Sequence, residues 1–413
     1  MKKKDIIGII GLGYVGLPVF LSFSKKYKTI GYDIDKEKIS NLKKKYNKKN
    51  NKKLLFVDDI TLLEKCNIYI VIVPTPVDQY NIPDLSLLKS ACSSLAKLIS
   101  NFDTVIFEST VYPGATREIC IPILENISGL KLNKEFGVGY SPERINPGDK
   151  NRSISDIVKI TSGSNTQTSK SVDILYKKII TAGTHLAKSI EIAEAAKVIE
   201  NTQRDINIAL MNELSKIFHK LNISNLDVLK AANTKWNFLD FTPGLVGGHC
   251  IGVDPYYLTE RALQTGYKPE LILAGRKIND EMPKYVVDQF LKFSLKKRIL
   301  KFSMRVLVMG ITFKENCPDI RNSKSIEVIK ILIEYGFDVD IYDPIANKDE
   351  NLENLTNKVK FLKNNKYCGI IITVAHDVFK LIELEDLKKI CINNGLIFDL
   401  KGIFPKDKTS WNL

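Results

Sequence analysis

A chain of 413 residues exceeds one ordinary domain and predicts two or three hydrophobic cores. With 44% hydrophobic and 26% charged residues it has the composition of a globular protein in water, which sets aside collagen-like and disordered chains. The net charge of +14 is mostly lysine, in runs such as Lys43-Lys44-Lys45 that read as solvated faces and suit anionic ligands; without a basic helix carrying interleaved aromatics, nucleic acid is not an expected partner.

The chain opens with Met1-Lys2-Lys3-Lys4 ahead of the uncharged run Ile6 to Ser24, which imitates a signal peptide or a membrane span. Four glycines and Pro18 inside that run make a poor spanning helix, so we expect neither a targeting segment nor membrane insertion. Asp5 to Ile10 reads instead as a buried parallel strand. It runs into Gly11-Leu12-Gly13-Tyr14-Val15-Gly16 and then into a helix from Leu17 to Lys26. Strand, GxGxxG and helix in that order form the dinucleotide fingerprint. A second strand, Lys28 to Tyr32, ends at Asp33, where a carboxylate would accept from ribose hydroxyls and repel a 2′-phosphate, which favours NAD over NADP. The competing reading makes Asp33 and Asp35 caps of the helix from Lys36 to Lys45.

Further strands carry loops at their carboxyl ends, where open α/β sheets bind ligands. Ile68 to Val73 leads to Pro74-Thr75-Pro76, Thr104 to Glu108 leads to Ser109-Thr110, and Phe136 to Tyr140 leads to Ser141-Pro142-Glu143-Arg144. Thr75, Thr110 and Glu143 should therefore ring the nicotinamide side of a pocket. From Ser189 to Leu221 the pattern turns helical, with Glu194, Lys197, Asn201 and Arg204 on one face. That face is either a solvated ion-pair stripe or one that points Lys197 and Asn201 into an active cleft. Helices from Asn225 to Asn233 and from Pro269 to Lys297 complete a central linking and dimerisation region.

Between them runs Pro243-Gly244-Leu245-Val246-Gly247-Gly248-His249-Cys250-Ile251-Gly252-Val253-Asp254-Pro255, whose glycines let the backbone pass close to a ligand. Cys250 is a candidate nucleophile there, and Asp254 lies on its side if a helical turn begins at that point. Seven cysteines without a CxxC pair argue for reduced thiols in a cytoplasm, and against a zinc site or disulfide framework. Phe302 to Met309 restarts the α/β pattern, followed by a helix from Ser325 to Tyr335 and strands at Asp338 to Ile341, Gly369 to Val374 and Leu396 to Leu400. The expected fold is α/β: two Rossmann-like doubly wound domains, residues 1–188 binding NAD and 301–413 binding a different nucleotide, joined by a central helical domain over 189–300.

Together these motifs resemble the UDP-glucose/GDP-mannose dehydrogenase family from Gly11 to Lys401. The wording from Gly247 to Tyr257 is similar to the branch acting on UDP-N-acetylhexosamines, UDP-GlcNAc or UDP-GalNAc. The resemblance implies an NAD-dependent four-electron oxidation at C6 through a cysteine thioester, a dimeric cytoplasmic enzyme, and a place in capsule or O-antigen synthesis. It implies Cys250 as nucleophile, Lys197 and Asn201 on the catalytic helix, and Asp254 as an aid to a water or oxyanion. Glu143 would be the general base and Thr110 the water-positioning threonine. Gly11, Gly13, Tyr14, Val15, Gly16, Asp33, Pro74, Thr75, Thr110 and Arg321 would hold the cofactor. Glu143, Arg144, Lys197, Asn201, Gly247, Phe313 and Lys314 would touch the UDP-sugar. Val253 and His249 depart from the UDP-glucose branch. A two-electron β-hydroxyacid dehydrogenase, a UDP-glucose 6-dehydrogenase and an NAD-binding regulator without turnover are the alternatives.

Overall fold

The structure is a computed structural model and describes the chain apart from residues 1–4, 47–53, 146–151, 249–250, 302–303, 348–356 and 359–366. The chain divides into two compact units: Met1–Glu200 with Tyr256–Tyr267, and Asn201–Pro255 with Lys268–Leu413.

The first unit is built on a sheet of eight strands among the described residues, in the order β3-β2-β1-β4-β5-β6-β7-β8. These are β1 (Ile6–Ile10), β2 (Lys28–Tyr32), β3 (Leu54–Val57), β4 (Ile68–Val71), β5 (Thr104–Phe107), β6 (Gly137–Tyr140), β7 (Lys159–Gly163) and β8 (Thr184–Leu186). Every pairing is parallel except β6 with β7. Strands such as IIGII and TVIF are apolar throughout because both faces of a parallel sheet are covered. The covering helices are α1 (Gly16–Ser24), α2 (Lys36–Tyr46), α3 (Ser86–Ala96), α4 (Ile121–Ser128) and α5 (Thr166–Lys177). Phe20, Phe23 and Tyr176 pack with Ile7, Ile9 and Ile70 in one core. The strand order reverses between β1 and β4, which opens the crevice such sheets use for ligands.

Helix α6 (Ile190–Leu221) runs unbroken for 32 residues, and its buried face is polar: Glu194, Lys197, Asn201, Asp205, Asn212 and Ser215. The expected face is corrected at its last member. Arg204 is exposed and Asp205 is buried, since eleven residues from Glu194 close about three turns at 3.6 residues each and ten do not.

The second unit holds a six-stranded, all-parallel sheet among the described residues, in the order β11-β10-β9-β12-β13-β14. Its strands are β9 (Arg305–Met309), β10 (Asp338–Tyr342), β11 (Asn357–Lys358), β12 (Tyr367–Ile372), β13 (Cys391–Asp399) and β14 (Trp411–Asn412). Helix α7 (Asn225–Ala232) starts on Ser224, whose hydroxyl accepts the Asp227 N–H. Helix α8 (Asp254–Gln264) begins at Asp254 itself. The single helix expected from Pro269 to Lys297 is two, α9 (Glu270–Asp280) and α10 (Met282–Lys296), because Pro283 has no N–H to continue α9 and suits the first turn of a new helix. Helix α11 (Lys324–Glu334) follows β9, and α12 (Leu384–Lys389) precedes β13. Phe290 of α10 is fully buried edge-on to Phe398, and a Cβ at Gly369 would come within 2.6 Å of its ring, so only glycine fits beneath it. Truncating Phe290 to alanine would remove about 3–5 kcal/mol. Among the described residues no helix is long and apolar enough to cross a membrane.

Candidate active site

The turn after β1 separates what its glycines do for the chain from what they leave for a ligand. Gly11 has φ +93°, and a Cβ there would lie 2.3 Å from the Ile72 carbonyl oxygen; at Gly16 it would lie 1.8 Å from the carbonyl oxygen of Gly11. The protein's own backbone therefore demands these two. At Gly13 a Cβ would meet nothing within 4 Å, so the open side of the turn is space for something the chain does not supply. Beyond it α1 presents its N-terminus, which attracts a phosphate. Tyr14 is exposed on this turn and Val15 half-buried.

Asp33 is buried behind it and accepts from the Leu12 N–H at 2.9 Å and the Asp35 N–H at 3.0 Å. The cap of α2 is Asp35, which accepts the Lys38 N–H at 2.9 Å; Asp33 instead fixes the turn. Lys38, which sequence reasoning passed over, brings its ammonium to Asp33 Oδ2 at 2.9 Å. Its only signal was a lysine in the first turn of a helix that follows the acidic strand end.

The loops after β4 and β5 are tied together. Thr75 Oγ1 donates to the Thr110 carbonyl at 2.7 Å, Tyr257 OH donates to the Thr75 carbonyl at 2.6 Å, and the Ser109 hydroxyl donates to Val73 O at 2.7 Å. Glu194 accepts the N–H groups of Gly114 (2.6 Å) and Thr116 (2.9 Å), so α6 grips the far end of the Thr110 loop. Burial pushes the Glu194 carboxyl up to about 7, against the opposing pull of these hydrogen bonds. Three residues further along α6, Lys197 is buried as well. Glu143 follows β6 with one oxygen accepting the Ile145 N–H and the other 3.6 Å from the Lys159 ammonium. Arg144 turns to Glu200 at 2.7 Å and to the Val158 carbonyl at 2.7 Å.

In the second unit Asn201 donates to Asp254 Oδ2 at 2.6 Å, joining the polar face of α6 to the start of α8. Asn212 clamps the head of the glycine loop from both sides, accepting the Gly244 N–H (2.8 Å) and donating to the Gly244 carbonyl (3.1 Å). Asn279 and Arg276 fix this face in turn, through Asn212 (2.8 Å) and Asp205 (2.6 Å) respectively. A Cβ at Gly247 would lie 2.4 Å from the Asn322 carbonyl oxygen, and one at Gly248 (φ +85°) 2.6 Å from the Phe313 ring. The Gly248 N–H donates to Asn322 O at 3.1 Å. The close approach expected at these glycines is thus made by the chain's own residues. Phe313 packs here, the Lys314 carbonyl accepts from Thr312 Oγ1 at 2.8 Å, and Arg321 lies fork-on to Asp319 at 2.6 Å. His249 and Cys250 lie outside the described residues.

Comparison with known proteins matches three consecutive stretches of the chain. Residues 5–180 match the NAD binding domain of the UDP-glucose/GDP-mannose dehydrogenase family, 191–281 its central domain and 307–406 its UDP binding domain. The chain belongs to this family. It is an NAD-dependent nucleotide-sugar dehydrogenase. The dehydrogenase is 50% identical to a UDP-N-acetyl-D-glucosamine 6-dehydrogenase of Pseudomonas aeruginosa over 99% of this chain and 100% of that one. It is 48% identical to a protein of the same name from Salmonella typhi, over 98% of each. The solved UDP-D-ManNAc dehydrogenase of Pyrococcus horikoshii superposes with a TM-score of 0.89 at 28% identity, over 98% of each chain.

NAD fits the first turn on the chain's own terms, given the free space over Gly13 and the buried Asp33 beside it. The described thiols of the dehydrogenase are a different matter. Cys66, Cys92, Cys120, Cys317 and Cys368 are buried, and burial pushes Cys66, Cys368 and Cys391 to about 12, where no thiolate forms at neutral pH.

Proposed function

We propose that the dehydrogenase oxidises C6 of UDP-N-acetyl-D-glucosamine to the carboxylate in two steps, holding the carbon on Cys250 between them. The observation that carries this reading is the hydrogen bond from Asn201 to Asp254, which joins the buried face bearing Lys197 to the end of the cysteine loop. The name shared by the 50% and 48% identical relatives supports the sugar. NAD, when bound, accepts hydride at each oxidation, two NAD per sugar. Gly11, Gly13, Tyr14, Val15, Gly16, Asp33, Pro74 and Thr75 hold it, with Arg321 assisting.

A base takes the hydroxyl proton in the first oxidation. The Cys250 sulfur then adds to the aldehyde carbon, because an aldehyde has no second hydride to release until a nucleophile has added. The ammonium of Lys197 and the amide of Asn201 stabilise the anionic C6 oxygen at each stage. Thr110 orients the water that hydrolyses the thioester, Glu143 takes its proton, and Asp254 assists. Cys66, Cys368 and Cys391, pushed up to about 12 by burial, offer no competing thiolate. Arg144, Gly247, Phe313 and Lys314 contact the UDP-sugar.

The three-part division at 188/189 and 300/301, a homodimer, a cytoplasmic setting and supply of a capsule or O-antigen pathway belong to the same reading. Self-association is supported by exposed apolar residues along α6, Ile192, Ile199, Leu210, Ile217 and Leu221, spaced by seven, eleven, seven and four, which keeps them on one face. Separate incubations of the protein and NAD with UDP-GlcNAc, UDP-GalNAc and UDP-glucose, read by mass, test the reading. Acid formed fastest from UDP-GlcNAc is expected; acid from UDP-glucose alone, or none at all, contradicts it.

A further inference from the structure

Four ionisable side chains from segments far apart in the chain meet inside the first unit. Lys159 opens β7 with its side chain 4% exposed, and its Nζ donates to Glu108 Oε2 at 2.6 Å. Glu108 follows β5, and its other oxygen accepts from Tyr176 OH of α5 at 2.5 Å. The same ammonium stands 5.3 Å from the Tyr176 ring centre and 3.6 Å from Glu143 Oε2. That Glu143 oxygen is buried and accepts no hydrogen bond among the described residues, whereas its partner oxygen is taken by the Ile145 N–H.

A buried carboxylate oxygen in this state keeps its charge only if a cation is near. Arg144, the next residue, turns its guanidinium to Glu200 and Val158. Among the described residues Lys159 is left to do it. We propose that Lys159 is a positioning residue of the reaction: standing between Glu108 and Glu143, its ammonium holds the Glu143 carboxylate beside it with one oxygen unbonded and ready for a proton. The inference rests on the reading of Glu143 as the base that deprotonates the hydrolytic water.

The cluster has a built-in opposition. The groups facing Glu143 are Lys159 from β7, Glu108 from β5 and Tyr176 from α5, with Arg144 beside it on the same loop. The Lys159 ammonium attracts the Glu143 carboxylate. Glu108, whose own carboxyl is raised by burial, opposes this by drawing the ammonium to 2.6 Å on its side against 3.6 Å on the other. A side chain that only filled space would shift neither limb of a pH profile, and would not act in opposite directions in two variants.

The test is the pH profile of kcat for the intact enzyme with NAD and whichever UDP-sugar it oxidises fastest, in Lys159→Met, Lys159→Arg, Glu108→Gln and Glu143→Gln. Lys159→Met should move the acid limb up by about one pH unit, the lower end of what a cation at this distance does, with KM for NAD within twofold of wild type. Lys159→Arg should restore most of the limb's position, and Glu108→Gln should move it down. An unmoved limb in Lys159→Met, or movement the same way in Lys159→Met and Glu108→Gln, overturns the inference. If Lys159→Met does not fold, a limb unmoved in both Lys159→Arg and Glu108→Gln overturns it equally. Full activity in Glu143→Gln sinks the underlying base reading instead; low activity there with unmoved limbs elsewhere sinks only the role of Lys159.

Discussion

The two sheets share a strand order and a first turn, and differ in what covers that turn. Both run third-second-first-fourth-fifth-sixth in chain order across their first six strands. After β1, Gly11 (φ +93°) donates to Tyr32 O and Leu12 to the Asp33 carboxylate; after β9, Gly310 (φ +84°) donates to Tyr342 O and Ile311 to the Asp343 carboxylate. The acid is met by the Lys38 ammonium in the first case and by His376 Nε2 at 3.2 Å in the second. In the first sheet the helix starts six residues after the strand and the space over Gly13 is open. In the second, a loop from Ile311 to Ser323 delays α11, and the chain's own Gly247 and Gly248 lie against Asn322 and Phe313. One crossover is thus shaped to leave room for a cofactor, and the other to anchor the cysteine loop. Shared topology fixed the turn, and the residues after it decided its use.

The sharpest way to break that contrast is Gly16→Ala, whose Cβ would fall 1.8 Å from Gly11 O with no side chain to move aside. Unfolding in urea should show a loss of about 4 kcal/mol or more, with NAD binding gone. Next come the carboxylates that hold backbone N–H groups, which should respond oppositely to pH. Glu194, raised to about 7 from an ordinary 4.5, contributes stability that is full below 4.5 and lost as pH rises through 7; over that window wild type should lose about 3 kcal/mol relative to Glu194→Gln. For Asp343, burial alone would raise the carboxyl, but His376 and the N–H groups of Ile311 and Ile345 outweigh it and hold it below its ordinary 3.8. Its contribution is present at neutral pH and lost in acid, so Asp343→Asn should flatten stability on the acid side only.

Smaller again is Gly248→Ala, about 2 kcal/mol from its positive φ and the Phe313 ring at 2.6 Å. It should abolish turnover while leaving NAD affinity intact, and Phe313→Leu should return part of the stability. Gly13→Ala completes the series: stability within about 0.5 kcal/mol of wild type, but NAD binding weakened at least about tenfold, measured by titration. A Gly13→Ala protein that binds NAD normally would show that the open turn is not the cofactor's seat.

What could be read beforehand follows from how far apart the partners lie in the chain. The β1 fingerprint and Asp33 were legible because the turn is local, its donor and acceptor being 21 residues apart in a fixed strand–helix–strand unit. The glycines of the cysteine loop announced that something comes close, but not that it is Phe313 and Asn322, since spacing carries no register between distant segments. Lys197 and Asn201 could be placed on one face by helical period. The same count failed at Arg204, where a three-or-four spacing drifts from 3.6 and Asp205 takes the buried position. The Glu108–Lys159 pair spans 51 residues, and a lone charge at the edge of an apolar strand was its only trace; Asn201 and Asp254, 53 residues apart, were each singled out but not as partners.

The measurement that bears most directly on the account is the count of NADH formed per UDP-GlcNAc consumed, run to completion with wild-type enzyme and repeated with Cys250→Ala. Two NADH per sugar with wild type, and no acid from Cys250→Ala, is the predicted result. One NADH per sugar with free aldehyde as product, or a normal yield of acid without the sulfur, would contradict it.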